Sequence, residues 1–139
     1  MDKKYETGIL WQDTQHQQLI DLMEKLSDSN AKESDPKLFV YTTAFLAMYV
    51  THHFSLEEQY MKTYGYPDLE FHLKEHKKYL AMVMQFRKEH TTFSREGAIF
   101  LEQSIIKLIL EHITENDQKL GEFIVKEEKK RILAQVEKE

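Results

Sequence analysis

The sequence contains no cysteine among its 139 residues. Disulfide bonds, thiolate zinc sites, cysteine-ligated iron–sulfur clusters and cysteine nucleophiles are therefore all excluded. Histidine, aspartate and glutamate are the strong metal ligands that remain. Any metal site must be built from those three residue types.

Glycine and proline are also scarce, with four and two residues respectively. In average proteins the two together make up about 12% of the residues. So few turn-forming residues argue against a β-sandwich, a β-barrel or a disordered chain, and indicate a small number of long helices. The length is that of one domain.

Long apolar runs and a strong charge of one sign are absent. The longest weakly polar run, 38–50, has 13 residues, which is too short to span a bilayer, and the N-terminus has no signal-peptide core. The net charge of −5 gives no electrostatic reason to expect nucleic acid or an anionic membrane as a partner. We expect a soluble, cytoplasmic protein.

Four helices are predicted from capping residues and from the helical spacing of apolar residues. A polar linker over 27–36 is expected to separate the first helix from the second, which is predicted over about 37–64 and ends before Gly65. Short connections between successive helices favour an all-α, up-down-up-down antiparallel four-helix bundle. The candidate N-caps of the first, third and fourth helices are Asp13, Asp68 and Ser94.

Histidine is frequent, with seven residues, and most of them fall on apolar stripes of the predicted helices. His53 and Glu57 are four residues apart on the second helix, and His72 and His76 repeat this spacing on the third. The members of each pair therefore lie one turn apart on a single helical face. Each pair is suited to hold one metal ion.

Two further histidines bring the first and fourth helices into the same arrangement. His16 lies about one turn into the first helix and His112 near the end of the fourth, so antiparallel packing places both within about 10 Å of the level of the two pairs. Asp117 follows His112 by five residues, about 140° around a regular helix, whereas Asn116 would be in phase. Asp117 therefore joins the group only if the fourth helix contains a π turn there or ends.

Each of these residues has an ordinary alternative role. A lone histidine on an apolar stripe is usually a hydrogen-bonded core residue, and His52 and His90 are expected at the surface. A core holding five imidazoles and two carboxylates without a ligand, however, would be very costly to desolvate. Without thiolates the candidate metals are zinc, iron, manganese, nickel and copper, and seven ligands are too many for one tetrahedral zinc. The residues therefore point to two metal ions.

The order of these residues resembles the hemerythrins, most closely the single-domain bacterial members. The resemblance spans about Gly8 to Gly121, and all seven ligand positions are filled. The matching segments are Asp13-Thr14-Gln15-His16, His53-Phe54-Ser55-Leu56-Glu57-Glu58, Tyr66-Pro67, His72-Leu73-Lys74-Glu75-His76 and His112-Ile113-Thr114-Glu115-Asn116-Asp117.

The resemblance implies a non-heme centre of two iron ions joined by an oxygen bridge, with O2 as its ligand. One coordination position is left open on the iron that has fewer histidines, and the family binds O2 there. The implied ligands are His72, His76 and His112 on one iron, His16 and His53 on the other, and Glu57 and Asp117 between them.

The sequence departs from the bacterial hemerythrin pattern at Leu108. Bacterial members commonly have tryptophan at this position, four residues before the histidine of the last helix, where it helps to wall the O2 pocket. We expect Leu108 to lie beside the iron centre and to leave room for water there.

The implied function is a reversible O2 carrier or store, which is a binding protein and not an enzyme. Two alternatives stay open: a sensor of O2, nitric oxide or redox state that acts through a partner, and a di-iron peroxidase or nitric-oxide-reducing enzyme. We expect a hemerythrin-like domain over 1–125 and a charged C-terminal tail over 126–139. The tail carries Ile132, Leu133 and Val136 among charges, which suits either a docking helix for a protein partner or a solvated extension.

Overall fold

Four long helices make up most of the computed structural model, which describes residues 2–138. The first three are α1 (Leu10–Asn30), α2 (Pro36–Tyr64) and α3 (Leu69–Glu89), and the fourth, α4, is a continuous helical run over 95–138. A 3₁₀ turn, Lys3–Tyr5, precedes α1, and no strand occurs within residues 2–138. Short connections join successive helices, and the predicted all-α four-helix bundle is confirmed.

The helices begin and end mostly where the sequence indicates. Asp35 caps α2 by accepting a hydrogen bond from the backbone N–H two residues later, with Pro36 in the first turn. Gly65 ends the same helix in the left-handed conformation, with a φ of 68°. Ser94 caps α4 through a 2.9 Å bond from the backbone N–H of Gly97. Asp68 precedes α3 as predicted, but its side chain makes no capping bond.

The first helix begins at Leu10, four residues earlier than predicted, so Asp13 is not its N-cap. Its carboxylate instead accepts hydrogen bonds from the backbone N–H groups of Thr7, at 2.6 Å, and Gly8, at 3.1 Å. Gly8 has a φ of 84°, which favours glycine and lets the chain turn back toward the helix. Asp13 therefore ties the N-terminal segment to the first turn of α1.

Two π-helical segments interrupt the fourth helix. It is α-helical over Arg95–Phe100, Lys107–His112 and Gln118–Lys138, and π-helical over Leu101–Ile106 and Ile113–Asp117. The second segment confirms the prediction that a π turn at this place brings Asp117 into the core. Nothing in the sequence indicated the first π-helical segment, Leu101–Ile106.

Two apolar clusters fill the bundle, and a polar layer separates them. On α2 the larger cluster ends at Phe54 and the smaller one contains Met61, so Glu57 lies between the two. On α4 the corresponding boundary falls between Ile113 and Leu120. All four helices therefore cross the polar layer near one end of the bundle.

The last part of α4 contains the predicted tail and is helical through Lys138. Arg131 holds the first half of this segment against the end of α2. Its guanidinium lies 4.4 Å from the ring centroid of Tyr64 and donates to the carbonyl oxygen of Thr63 at 3.2 Å. The helix crosses 125 without a break, and the domain boundary there stays a prediction. Met1 and Glu139, the outer ends of the predicted domain and tail, lie outside the described residues. None of the helices within residues 2–138 combines the length and apolar character needed to cross a bilayer.

Candidate metal centre

The polar layer contains all seven residues predicted as metal ligands. Each is at most 2% exposed to solvent, although they come from four different helices. Their ligand atoms form two groups, and within each group the atoms lie within 4.8 Å of one another. The first group is Glu57, His72, His76, His112 and Asp117, and the second is His16, His53, Glu57 and Asp117.

Glu57 belongs to both groups because its two oxygens face opposite sides. Oε1 lies 3.0 Å from Nε2 of His76 and 3.5 Å from Nε2 of His72. Oε2 lies 3.4 Å from Nε2 of His53. One carboxylate is thus shared between the histidines of α3 and the histidine of its own helix.

Asp117 divides its oxygens in the same way. Oδ1 lies 3.1 Å from Nε2 of His112 and 3.4 Å from Nε2 of His72. Oδ2 lies 2.9 Å from Nε2 of His53 and 3.1 Å from Nε2 of His16. The π turn Ile113–Asp117 makes this possible because it brings Asp117 onto the inward face five residues after His112. The layer therefore offers two adjacent ion positions with two carboxylates between them.

Contacts on the outer side of the imidazole rings orient three of the histidines. Nδ1–H of His16 donates to the carbonyl oxygen of Tyr5 at 2.9 Å, and Nδ1–H of His53 donates to Oε1 of Gln15 at 2.6 Å. Nδ1 of His112 lies 3.0 Å from the side-chain amide of Asn116. On His16 and His53, a proton held on Nδ1 leaves the inward Nε2 as the atom that can bind a metal ion, which is how metal-binding histidines are commonly held.

The imidazoles and carboxylates shift one another's pKa values. Burial lowers the pKa of His53, but Glu57 and Asp117 outweigh it and raise this pKa to about 10. The same carboxylates overcome burial to raise the pKa of His72 to about 9. Burial raises the pKa of Asp117, but His112 and the neighbouring histidines hold it well below its usual range. The carboxylates therefore stay ionised, as a metal ligand requires.

The layer fits metal ions better than it fits a hydrogen-bond network. Nε2 of His72, Nε2 of His112 and Oδ1 of Asp117 are buried and, although close to one another, have no well-aligned hydrogen bond within residues 2–138. Unpartnered buried polar atoms are costly, and a cation among them removes that cost. Imidazole nitrogen and carboxylate oxygen without thiolate suit iron, zinc, manganese, nickel and copper. The assignment of each residue to a particular ion stays a prediction.

Gln12 is part of this site, although the sequence analysis did not single it out. Its side chain is fully buried, and Nε2 donates to Oε2 of Glu57 at 2.6 Å. The available signal was its position, four residues before His16 on the same face of α1. A buried glutamine at that spacing would have indicated a polar partner inside the bundle.

The structure corrects the expectation for Leu108. Its side chain is 37% exposed, while Ile109 is only 1% exposed. Ile106, Ile109 and Ile113 form the inward face at spacings of three and four residues, and Leu108 lies about 100° around the helix from Ile109. Leu108 therefore faces outward and is not the wall of the centre. His52 is exposed as predicted, whereas His90 is half-buried and its ring stacks on Phe86 at 4.2 Å.

Comparison with known proteins finds matches over most of the chain. A family model described as the hemerythrin HHE cation binding domain matches residues 7–124. A bacteriohemerythrin of Campylobacter jejuni subsp. jejuni (strain 81-176) is 25% identical over 118 residues, which cover 85% of this chain and 89% of that protein. A bacteriohemerythrin of Methylococcus capsulatus (strain Bath) matches with the same identity and coverage.

Proposed function

The chain belongs to the hemerythrin family, and on this basis we propose that it is a non-heme di-iron protein that binds O2 reversibly, as a carrier or store. The observation that carries the proposal is the orientation of the two carboxylates: Glu57 and Asp117 each direct one oxygen toward one histidine group and the other oxygen toward the second group. That arrangement suits a pair of ions that share two bridging ligands.

The proposed ligand set follows the two groups of side chains. Glu57 and Asp117 would hold both irons, and the ion with fewer histidine ligands would bind O2. When bound, the iron pair supplies the electrons and the open place through which O2 is taken up and released. The proposed ligands are His72, His76 and His112 for one iron and His16 and His53 for the other.

The protein's own contribution is to orient ligands and exclude water. The Nδ1 contacts to Tyr5 and Gln15 hold the rings of His16 and His53 with Nε2 inward. On the other side, the ring of Phe54 stacks on His76 with centroids 4.0 Å apart and lies 5.9 Å from His112. A rigid and dry surround favours release of an intact ligand over its reaction with water.

We propose binding and not catalysis because the donor set is rich in histidine. Five imidazoles face only two carboxylates. Ferritin-like di-iron bundles instead use a glutamate from each of two helices and two Glu-x-x-His motifs. A set rich in neutral imidazoles gives less support to the highly oxidised iron on which oxidase chemistry depends.

The test is a visible spectrum of the anaerobically reduced protein, recorded before O2, after O2 and after degassing. The proposal predicts a colour that appears with O2 and disappears on degassing over several cycles. Irreversible colour change, together with turnover of added peroxide, would contradict reversible binding and favour a di-iron peroxidase.

A further inference from the structure

The two sides of the polar layer differ in character. The three-histidine side is covered by the ring of Phe54. The two-histidine side is bordered by Trp11 and Tyr49, whose rings lie 6.4 Å and 5.2 Å from the ring of His53. Three buried atoms there have no hydrogen-bond partner within the described part of the chain: Nε1 of Trp11, Oε1 of Gln12 and the hydroxyl of Tyr49.

Gln12 is the member of this side that reaches the ligand atoms themselves. Its Nε2 lies 2.6 Å from Oε2 of Glu57, and Nε2 of His53 lies 3.4 Å from the same oxygen. The amide group therefore lies beside the ligand atoms proposed for the two-histidine ion. A side-chain amide has two N–H donors, and the bond to Glu57 uses one of them. That bond is the one hydrogen bond found for the Gln12 amide within residues 2–138, and its Oε1 has no partner there.

We infer that Gln12 is a ligand-binding residue of this centre: its second N–H donates a hydrogen bond to a small anion or oxygen ligand at the two-histidine position. The inference rests on the proposed function, because that position is where O2 is proposed to bind. A buried donor without an acceptor carries a desolvation cost, which a hydrogen-bond-accepting ligand removes. The centre therefore favours ligands that accept hydrogen bonds.

The experiment measures azide binding to the iron-loaded, oxidised protein by visible titration. Gln12→Met keeps the length of the side chain and removes both donors. We expect it to weaken azide binding by about tenfold, as for loss of one hydrogen bond to a charged group. The matched control is Gln18→Met, an exposed glutamine on the same helix, and its azide affinity should equal that of the unchanged protein.

Iron content and the azide-free spectrum separate ligand binding from support of Glu57. We expect iron content to be unchanged in Gln12→Met, because all seven proposed ligands are kept. A changed azide-free spectrum with unchanged azide affinity would show that Gln12 only positions Glu57 and would overturn the inference. Tighter azide binding in Gln12→Met would overturn it too, since it would mean that Gln12 itself occupies the open place.

Gln12→Glu is the second variant. It keeps the shape of the side chain, removes both N–H donors and adds a negative charge. It should bind azide more weakly than Gln12→Met, and equal or tighter binding contradicts the inference. Failure of the proposed function has a different signature: the unchanged protein would then contain no iron pair. An iron-loaded protein whose azide affinity does not depend on residue 12 contradicts the inference alone.

Discussion

Among the single residues of the centre, His53 lies close to both shared carboxylates. Its Nε2 lies 2.9 Å from Oδ2 of Asp117 and 3.4 Å from Oε2 of Glu57, and its Nδ1–H is bonded to Gln15. The ring of Tyr49 is stacked on its own ring. Loss of this imidazole therefore affects both shared carboxylates at once.

We predict that His53→Ala lowers iron content and stability together. The substitution leaves two buried carboxylates without one of their partners, and breaking a buried charged pair costs about 3–5 kcal/mol. Iron per chain and the unfolding midpoint in denaturant are the measurements. His52→Ala removes the adjacent, exposed histidine and is the control, which should change neither. Equal iron content in the two variants would remove His53 from the ligand set.

At the scale of elements, the fourth helix shows what local sequence can and cannot predict. The spacing of His112 and Asp117 predicted either a π turn or the end of the helix, because a regular helix places them about 140° apart, and the π turn is present. The buried residues of the segment Leu101–Ile106 are all apolar, so no inward-facing polar pair reveals its π geometry. Leu108 was placed beside the iron from its spacing to His112 alone, and the inward face is instead formed by Ile106, Ile109 and Ile113.

The start of the first helix was predicted wrongly for a related reason. Asp13 is a good N-cap residue, but three residues before it the helix has already begun without a side-chain cap. Contacts outside the helix determine the role of Asp13, because its carboxylate accepts hydrogen bonds from Thr7 and Gly8. That contact also positions the segment containing Tyr5, whose carbonyl orients His16.

Removal of residues 126–139 is predicted to leave iron content and O2 binding intact. Ile132, Leu133 and Val136 are more than 60% exposed, so the tail buries little apolar surface. The loss of the Arg131 contacts with Tyr64 and Thr63 is expected to cost about 1 kcal/mol or less. Iron analysis and the O2-dependent spectrum of the truncated chain provide the check. A truncated protein without its irons would show that the tail supports the metal end of the bundle.

On the scale of the whole molecule, the bundle and the gathering of the site could both be predicted from the sequence. The scarcity of glycine and proline and the positions of Pro36, Gly65 and Ser94 were sufficient for four helices. The position of each histidine along its helix was sufficient to predict that antiparallel packing brings the histidines together. The contact between Gln12 and Glu57 was not predictable in this way, because it depends on how α1 and α2 are rotated about their axes.

The charge balance of the polar layer predicts how metal removal changes the effect of pH on stability. His53 and His72 have folded pKa values of about 10 and about 9, above the ordinary value of 6.5. Their protonated forms therefore stabilise the metal-free fold fully below pH 6.5, and this contribution is lost as pH rises through 9 to 10. Asp117 acts in the opposite direction: its pKa is lowered, so its contribution is present above its ordinary value of 3.8 and is lost in acid.

We therefore expect the metal-free protein to melt at a lower temperature at pH 10 than at pH 6.5. In the metal-loaded protein these imidazoles are neutral ligands, so the same change of pH should alter the melting temperature much less. Thermal unfolding of both forms at the two pH values is the measurement. If the two forms show the same change, the layer does not hold the metal.

The most direct measurement is an anomalous difference map from crystals of the iron-loaded protein, with data collected on both sides of the iron absorption edge. We predict two peaks in the polar layer, one within bonding distance of Nε2 of His72, His76 and His112 and the other within bonding distance of Nε2 of His16 and His53. Glu57 and Asp117 should each contact both peaks. A single peak, or a pair of peaks that does not share these two carboxylates, would contradict the bridged two-iron centre.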